Sequence, residues 1–64
     1  MKVIFVESLS GDTLLRRPNA LHIPSIGDVV YIPGNEKIFK VSDREFHYSD
    51  DGCDTILIWL KESL

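Results

Sequence analysis

The chain has 64 residues, of which seven are basic and ten acidic, and 44% of its residues are hydrophobic. A chain this short forms one small domain, residues 1–64, and buries only about 60% of its unfolded surface, which leaves little room for a catalytic pocket that excludes water. The net charge of −3 disfavours nucleic acid as the main partner, because phosphate neutralisation normally needs a basic excess. The single cysteine, Cys53, fits a reducing compartment, and no run approaches the ~20 apolar residues of a membrane span. We therefore expect a cytoplasmic protein without membrane contact.

The start of the chain has the pattern of a β-hairpin. Lys2–Glu7 reads as a strand that is apolar on both faces, and Thr13–Arg17 reads as its return strand. Gly11 and its polar neighbours supply the turn between them, because glycine accepts a positive φ. Pro18 cannot donate to a ladder and ends the second strand.

A second hairpin is predicted after a long connection. Residues 18–27 carry three apolar side chains, and we expect this connection to fold over one end of the core. A strand then begins at Val29. Pro33 and Gly34 suit the central positions of a type II turn, because proline fixes φ near −65° and glycine accepts a positive φ. The next strand begins near Lys37.

That strand must contain an irregularity. Phe39 and Val41 share one face, whereas Phe46 and Tyr48 have the opposite parity. A strict period of two cannot place all four inside, so we predict a bulge or bend at residues 42–44 that lets one strand serve two sheets.

The last strand is predicted between Thr55 and Lys61, after a polar turn at residues 49–52. The acidic residues around this turn match no calcium-loop spacing, so we interpret them as a solvated turn and predict no metal site. No segment has helical periodicity. The pattern of short strands and turns predicts an all-β barrel or sandwich, and a closed barrel would leave no unpaired strand edge.

One segment carries a family resemblance. Pro24-Ser25-Ile26-Gly27-Asp28-Val29-Val30, followed by a turn and Phe39-Lys40-Val41, resembles the core of small Src-homology-3-like barrels. It is most similar to short proteins of bacteria and their phages that carry this core and end in a hydrophobic strand. The resemblance covers roughly residues 22–60 and implies a five- to six-stranded Src-homology-3-like barrel. It leaves function open, and polyproline recognition is not implied, because the chain lacks the corresponding motif.

An interaction surface is predicted on the last strand. Ile56, Ile58 and Leu60 alternate with Leu57 and Trp59, and only one face of a strand in so small a barrel can point inward. If the aliphatic trio is inside, Leu57 and Trp59 lie outside, and exposed apolar patches commonly mark a binding partner. If the first and last strands pair, Val3 and Phe5 are expected to extend this surface.

The sequence thus predicts a non-catalytic module, without cofactor, that binds a protein partner or forms a homo-oligomer. Its resemblance to phage-borne proteins implies an accessory or inhibitory role that occludes a partner. The alternative is a nucleic-acid-binding barrel that uses Arg16 and Arg17 as a local basic spot and Tyr31 for base stacking.

Overall fold

A computed structural model describes residues 1–52 and 54–63 of the chain. Within these residues the protein is all-β, without a helix, and its five strands form one sheet that curls into a half-barrel. The order of the strands across the sheet is β2-β1-β5-β4-β3. The strands are β1 (Lys2–Glu7), β2 (Thr13–Arg17), β3 (Val29–Tyr31), β4 (Ile38–His47) and β5 (Thr55–Ser63).

The first and last strands lie side by side at the middle of the sheet. β1 pairs with β2 in antiparallel orientation and with β5 in parallel orientation. β4 pairs with β5 along most of its length and with β3 through its first residues. The condition raised by the sequence, that the first and last strands pair, is therefore met. The register of this pair decides which residues of β1 face the core.

The half-barrel is open, whereas a closed barrel was expected. β2 and β3 are the two edges, and within the described residues each contacts one neighbouring strand only. β3 has only three residues and does not pair with β2. The connection at residues 18–27 packs Ala20 and Ile23 against the core, so a loop rather than a strand pair covers this side.

A bulge in β4 shifts the register between β4 and β5 between Val41 and Asp43, which confirms the predicted irregularity. The five strands nevertheless form one sheet rather than two, and Phe46 and Tyr48 stay 44% and 80% exposed rather than inside. The Ser42 Oγ donates a hydrogen bond to the Trp59 carbonyl at 3.1 Å across this irregularity. After the bulge, Arg44 stands opposite Ile58 and thus continues the face that Val41 occupies before it.

Two predicted turns contain a glycine with a positive φ. The Asn35 amide donates to the Ile32 carbonyl at 3.0 Å, and Gly34 has a φ of 78°, which agrees with the predicted type II turn. Gly27 has a φ of 93°, and its amide donates to the Val41 carbonyl at 2.9 Å. This second turn fixes the start of β3 beside β4.

The two faces of the sheet have different roles. One face, here called the core face, carries the buried apolar cluster, and the opposite one is called the outer face. The cluster contains the aliphatic trio of β5, as predicted. No helix among the described residues is long and apolar enough to cross a membrane. The buried residues of the cluster are Val3, Phe5, Ile32, Phe39, Val41, Ile56, Ile58 and Leu60.

Candidate interaction surfaces

Trp59 lies on the outer face of the sheet. Ile58 and Leu60 on either side of it are fully buried in the core, whereas Trp59 and Leu57 are half-buried. The alternation follows from the geometry of a strand, whose successive side chains point to opposite faces. The sequence prediction that Leu57 and Trp59 face away from the core is therefore confirmed.

Val3 and Phe5 do not extend this surface, and their predicted place in it is wrong. β1 and β5 pair so that Val3 stands beside Ile56 and Phe5 beside Ile58, and both side chains belong to the core cluster. Because side chains alternate, a register that differs by one residue exchanges the two faces of a strand. The apolar character of both faces of β1 left this register open.

The residues that do adjoin Leu57 and Trp59 are Ile4 and Val6. Ile4 stands beside Leu57, and Val6 stands beside Trp59. Val6 is buried at 7% exposure yet lies outside the core cluster, which agrees with a place on the outer face. These four side chains, Ile4, Val6, Leu57 and Trp59, are here called the outer patch.

No further strand packs over the outer patch within the described residues, because each strand contacts only its neighbours in the sheet. Val6 is nevertheless only 7% exposed, and Ile4, Leu57 and Trp59 are half-buried. The connection at residues 18–27 packs through Ala20 and Ile23 onto the core cluster, on the opposite side of the sheet. Four adjacent apolar side chains on a sheet face without a second layer make this face a candidate interaction surface.

A polar contact fixes the indole of Trp59. Its Nε1 donates a hydrogen bond to Glu45 Oε1 at 2.8 Å, and Glu45 Oε2 lies 3.1 Å from His47 Nε2. Glu45 and His47 both sit on the outer face of β4. One oxygen of the Glu45 carboxylate thus holds the indole, and the other oxygen contacts His47.

Opposite charges border the outer patch on its two sides. On the β2 side, Lys2 and Arg16 line a shallow hollow together with Ile4. On the β4 side, Asp43 and Glu45 line a second hollow together with Trp59, into which Lys61 also extends at one end. The row Arg16, Ile4, Leu57, Glu45 therefore runs from a cation to an anion straight across four strands.

A separate groove lies on the core side, between the two edges of the half-barrel. It has a volume of about 470 Å³, and Val3 and Phe5 form part of its lining. β2 contributes Leu15 and Arg17 from its core face, β3 contributes Val30 from its core face together with Val29 and Tyr31 from its opposite face, and the connection supplies Leu21 and Pro24. This groove was not predicted, because the expected closed barrel has no gap between its strands at this place.

The structure separates the two arginines of the predicted basic spot. Arg16 stands beside Ile4 and Arg17 beside Val3, so they project from opposite faces of β2. Arg17 and Tyr31 line the same groove, and Tyr31 is 72% exposed. A cation and an aromatic ring of the predicted nucleic-acid site thus line one groove, while the second cation lies on the opposite face of the sheet.

The described residues contain no group of three or more His, Cys, Asp or Glu that is arranged to hold a metal ion. Cys53 lies outside the described residues. Comparisons of the chain with protein-family models, with curated proteins and with solved structures found no match. Any statement about function therefore depends on the geometry of the outer patch and of the groove.

Proposed function

We propose that the protein is a non-catalytic interaction module that binds a protein partner through the outer patch. The observation that carries this proposal is the outer face without a second strand layer, on which Leu57 and Trp59 adjoin Ile4 and Val6. Tryptophan is among the residues most enriched at binding hot spots. Here its ring is oriented in advance by Glu45, which reduces the entropy lost when a partner packs on it.

The charge pattern supports a second copy of the chain as the partner. A two-fold axis parallel to the strands would place two outer faces against each other and exchange the β2 and β4 sides. Arg16 of each copy would then lie over Glu45 of the other, with Leu57 and Ile4 between them. Such an interface is isologous, because the same patch serves both copies, and two sheets pack in this way at about 10 Å.

The size of the chain limits the strength of such a dimer. A standard interface buries about 800 Å² per partner, and the described surface totals 4587 Å². A dimer would therefore have to cover about a sixth of the surface, which includes the charged borders as well as the four apolar side chains. We expect reversible association, with the same face available to a larger protein.

The finer assignment of the fold is part of this proposal. We infer a Src-homology-3-like barrel from the segment that leads into β3. In this segment Gly27 has a positive φ, and its amide donates a hydrogen bond to Val41 of β4. The accessory or inhibitory role of phage-type proteins follows from the same resemblance. A small protein that binds through the outer face of a sheet acts by blocking part of its partner's surface.

Sedimentation velocity across a range of protein concentrations tests the proposal. We expect a concentration-dependent sedimentation coefficient that becomes constant in Trp59→Ala, while Tyr48→Ala, which removes an exposed aromatic ring outside the outer patch, changes nothing. Arg16→Glu should weaken the dimer, because the two-fold axis places Arg16 over Glu45 of the other copy, whereas Arg17→Glu, on the opposite face of β2, should leave it unchanged. A wild-type chain that stays monomeric, and that recovers no partner dependent on Trp59 from host lysate, contradicts the proposal.

The alternative function, binding of single-stranded nucleic acid, is supported by the meeting of Arg17 and Tyr31 at one groove. Stacking on an aromatic ring beside a cationic side chain is the usual arrangement for such ligands. Retention on single-stranded DNA with a steep salt dependence, lost in Arg17→Ala, would favour this alternative.

A further inference from the structure

We propose that the groove between β2 and β3 binds an extended peptide segment of a partner protein, one that carries a carboxylate between apolar side chains. The segment adds to the free edge of β3 as a further strand, beside the connection at residues 18–27 that also lines the groove. This site lies at the free edges of the half-barrel, shares no residue with the outer patch and does not depend on it.

Unpaired strand edges face the groove from both sides. Leu15 and Arg17 of β2 line one side, and Val29 and Tyr31 of β3 line the other. Each of these strands has a single strand neighbour within the described residues. An edge strand presents backbone N–H and C=O groups without partners, and an extended peptide satisfies them by strand addition.

The charges at the groove select an acidic segment. The chain has ten acidic residues, yet no aspartate or glutamate is among the residues that line the groove. Within residues 1–52 and 54–63, Arg17 forms no ion pair with a carboxylate, and its Nη1 donates only to the carbonyl of Arg16 at 3.3 Å. A guanidinium without an ionic partner at the wall of an apolar groove suits a bidentate contact with a peptide carboxylate.

Apolar walls provide the remaining contacts. Leu21 is 97% exposed and Tyr31 is 72% exposed, although both line the groove. Leu15, Val29 and Pro24 continue the apolar lining between them. Because alternate side chains of an added strand point to the same side, an apolar residue two positions from the carboxylate would reach this lining while the carboxylate meets Arg17.

A peptide fits these features better than single-stranded nucleic acid. Proteins that bind single strands track the backbone with a positively charged groove, whereas Arg16 points to the opposite face and leaves Arg17 as the one arginine at this groove. The net charge of the chain is −3, which repels a polyanion more strongly than a segment with a single carboxylate.

Selection from a displayed library of random heptapeptides tests the proposal, with synthetic peptides of the enriched sequences and an oligothymidine octamer as soluble probes. We expect enriched sequences in which Asp or Glu stands two positions from an apolar residue. Arg17→Ala should weaken their binding about fivefold, as expected of a partly exposed ion pair. Tyr31→Ala should weaken it about tenfold or more, as expected of an aromatic anchor.

Arg16→Ala is the matched control, since it removes the same side chain from the opposite face of the same strand and should leave peptide binding unchanged. Bound peptide should also slow hydrogen exchange of the β3 amides, which a contact through side chains alone would not do. The proposal is overturned if no sequence is enriched, if Arg16→Ala and Arg17→Ala have equal effects, or if oligothymidine binds more tightly than the peptides. Loss of self-association in Trp59→Ala with retained peptide binding would separate this site from the outer patch.

Discussion

Adjacent residues of β5 should differ sharply in their contribution to stability. Ile58 is fully buried in the core, and Leu57 is half-buried on the outer face. Replacement of either by alanine removes three carbon atoms from the same strand, so the two variants form a matched pair. Any difference between them reports the face on which each side chain lies.

The magnitude follows from burial. Loss of three buried carbon groups costs about 0.8 kcal/mol each, or about 2.4 kcal/mol, and the enclosed cavity raises the cost of Ile58→Ala to about 3–4 kcal/mol. Leu57→Ala leaves no enclosed cavity and loses about half of the transfer free energy, or about 1 kcal/mol. In a domain of this size each kcal/mol lowers Tm by about 4–8 °C.

Urea denaturation followed by the fluorescence of Trp59 measures both variants, with the milder Ile58→Val, at about 1 kcal/mol, as a reserve if Ile58→Ala does not fold. The measurement should be made at several protein concentrations, because self-association through Leu57 would add a concentration-dependent term. Equal destabilisation by Leu57→Ala and Ile58→Ala would refute the assignment of faces, and with it both the outer patch and the correction for Val3 and Phe5.

Three further variants test the turn, the bulge and the indole contact. Gly27→Ala should cost about 1–2 kcal/mol in urea denaturation, because no atom lies within 4 Å of the added Cβ and the whole cost comes from the positive φ; an unchanged midpoint would contradict this. Ser42→Ala should cost about 1 kcal/mol through the lost bond to the Trp59 carbonyl, against no measurable change for the exposed Ser25→Ala, and equal effects would show that the bulge does not need this bond. Glu45→Ala should alter the fluorescence of Trp59 and lower stability by less than about 1 kcal/mol, since the pair is partly exposed; a spectrum identical to the wild type would argue against the indole contact.

Local patterns predicted the strands well. The first two strands begin and end at the predicted residues, and the last one extends two residues beyond its predicted end. The bulge at residue 42 was predictable because parity is a property of one strand alone. Proline and glycine fixed the turn after β3, since their backbone preferences do not depend on distant contacts.

Properties that join distant segments were not predictable to the same extent. The apolar residues of β1 fit either face equally well, so the places of Val3 and Ile4 had to wait for the pairing with β5. The groove likewise depends on the gap between two strands that are twelve or more residues apart. Arg16 and Arg17 are neighbours in sequence, yet their side chains lie on opposite faces of β2, which only the pairing with β1 assigns to the outer face and the core face.

The amino-acid sequence by itself determined the number and type of the elements, the aliphatic face of β5 and the outward direction of Trp59, because these depend on the period of two within a strand and on turn chemistry. Only the tertiary structure decided that the sheet stays open, that Ile4 and Val6 rather than Val3 and Phe5 adjoin Leu57 and Trp59, and that Arg17 and Tyr31 line the same groove. Each of these depends on the register and order of strands, which are set by the sum of many long-range contacts rather than by any one segment.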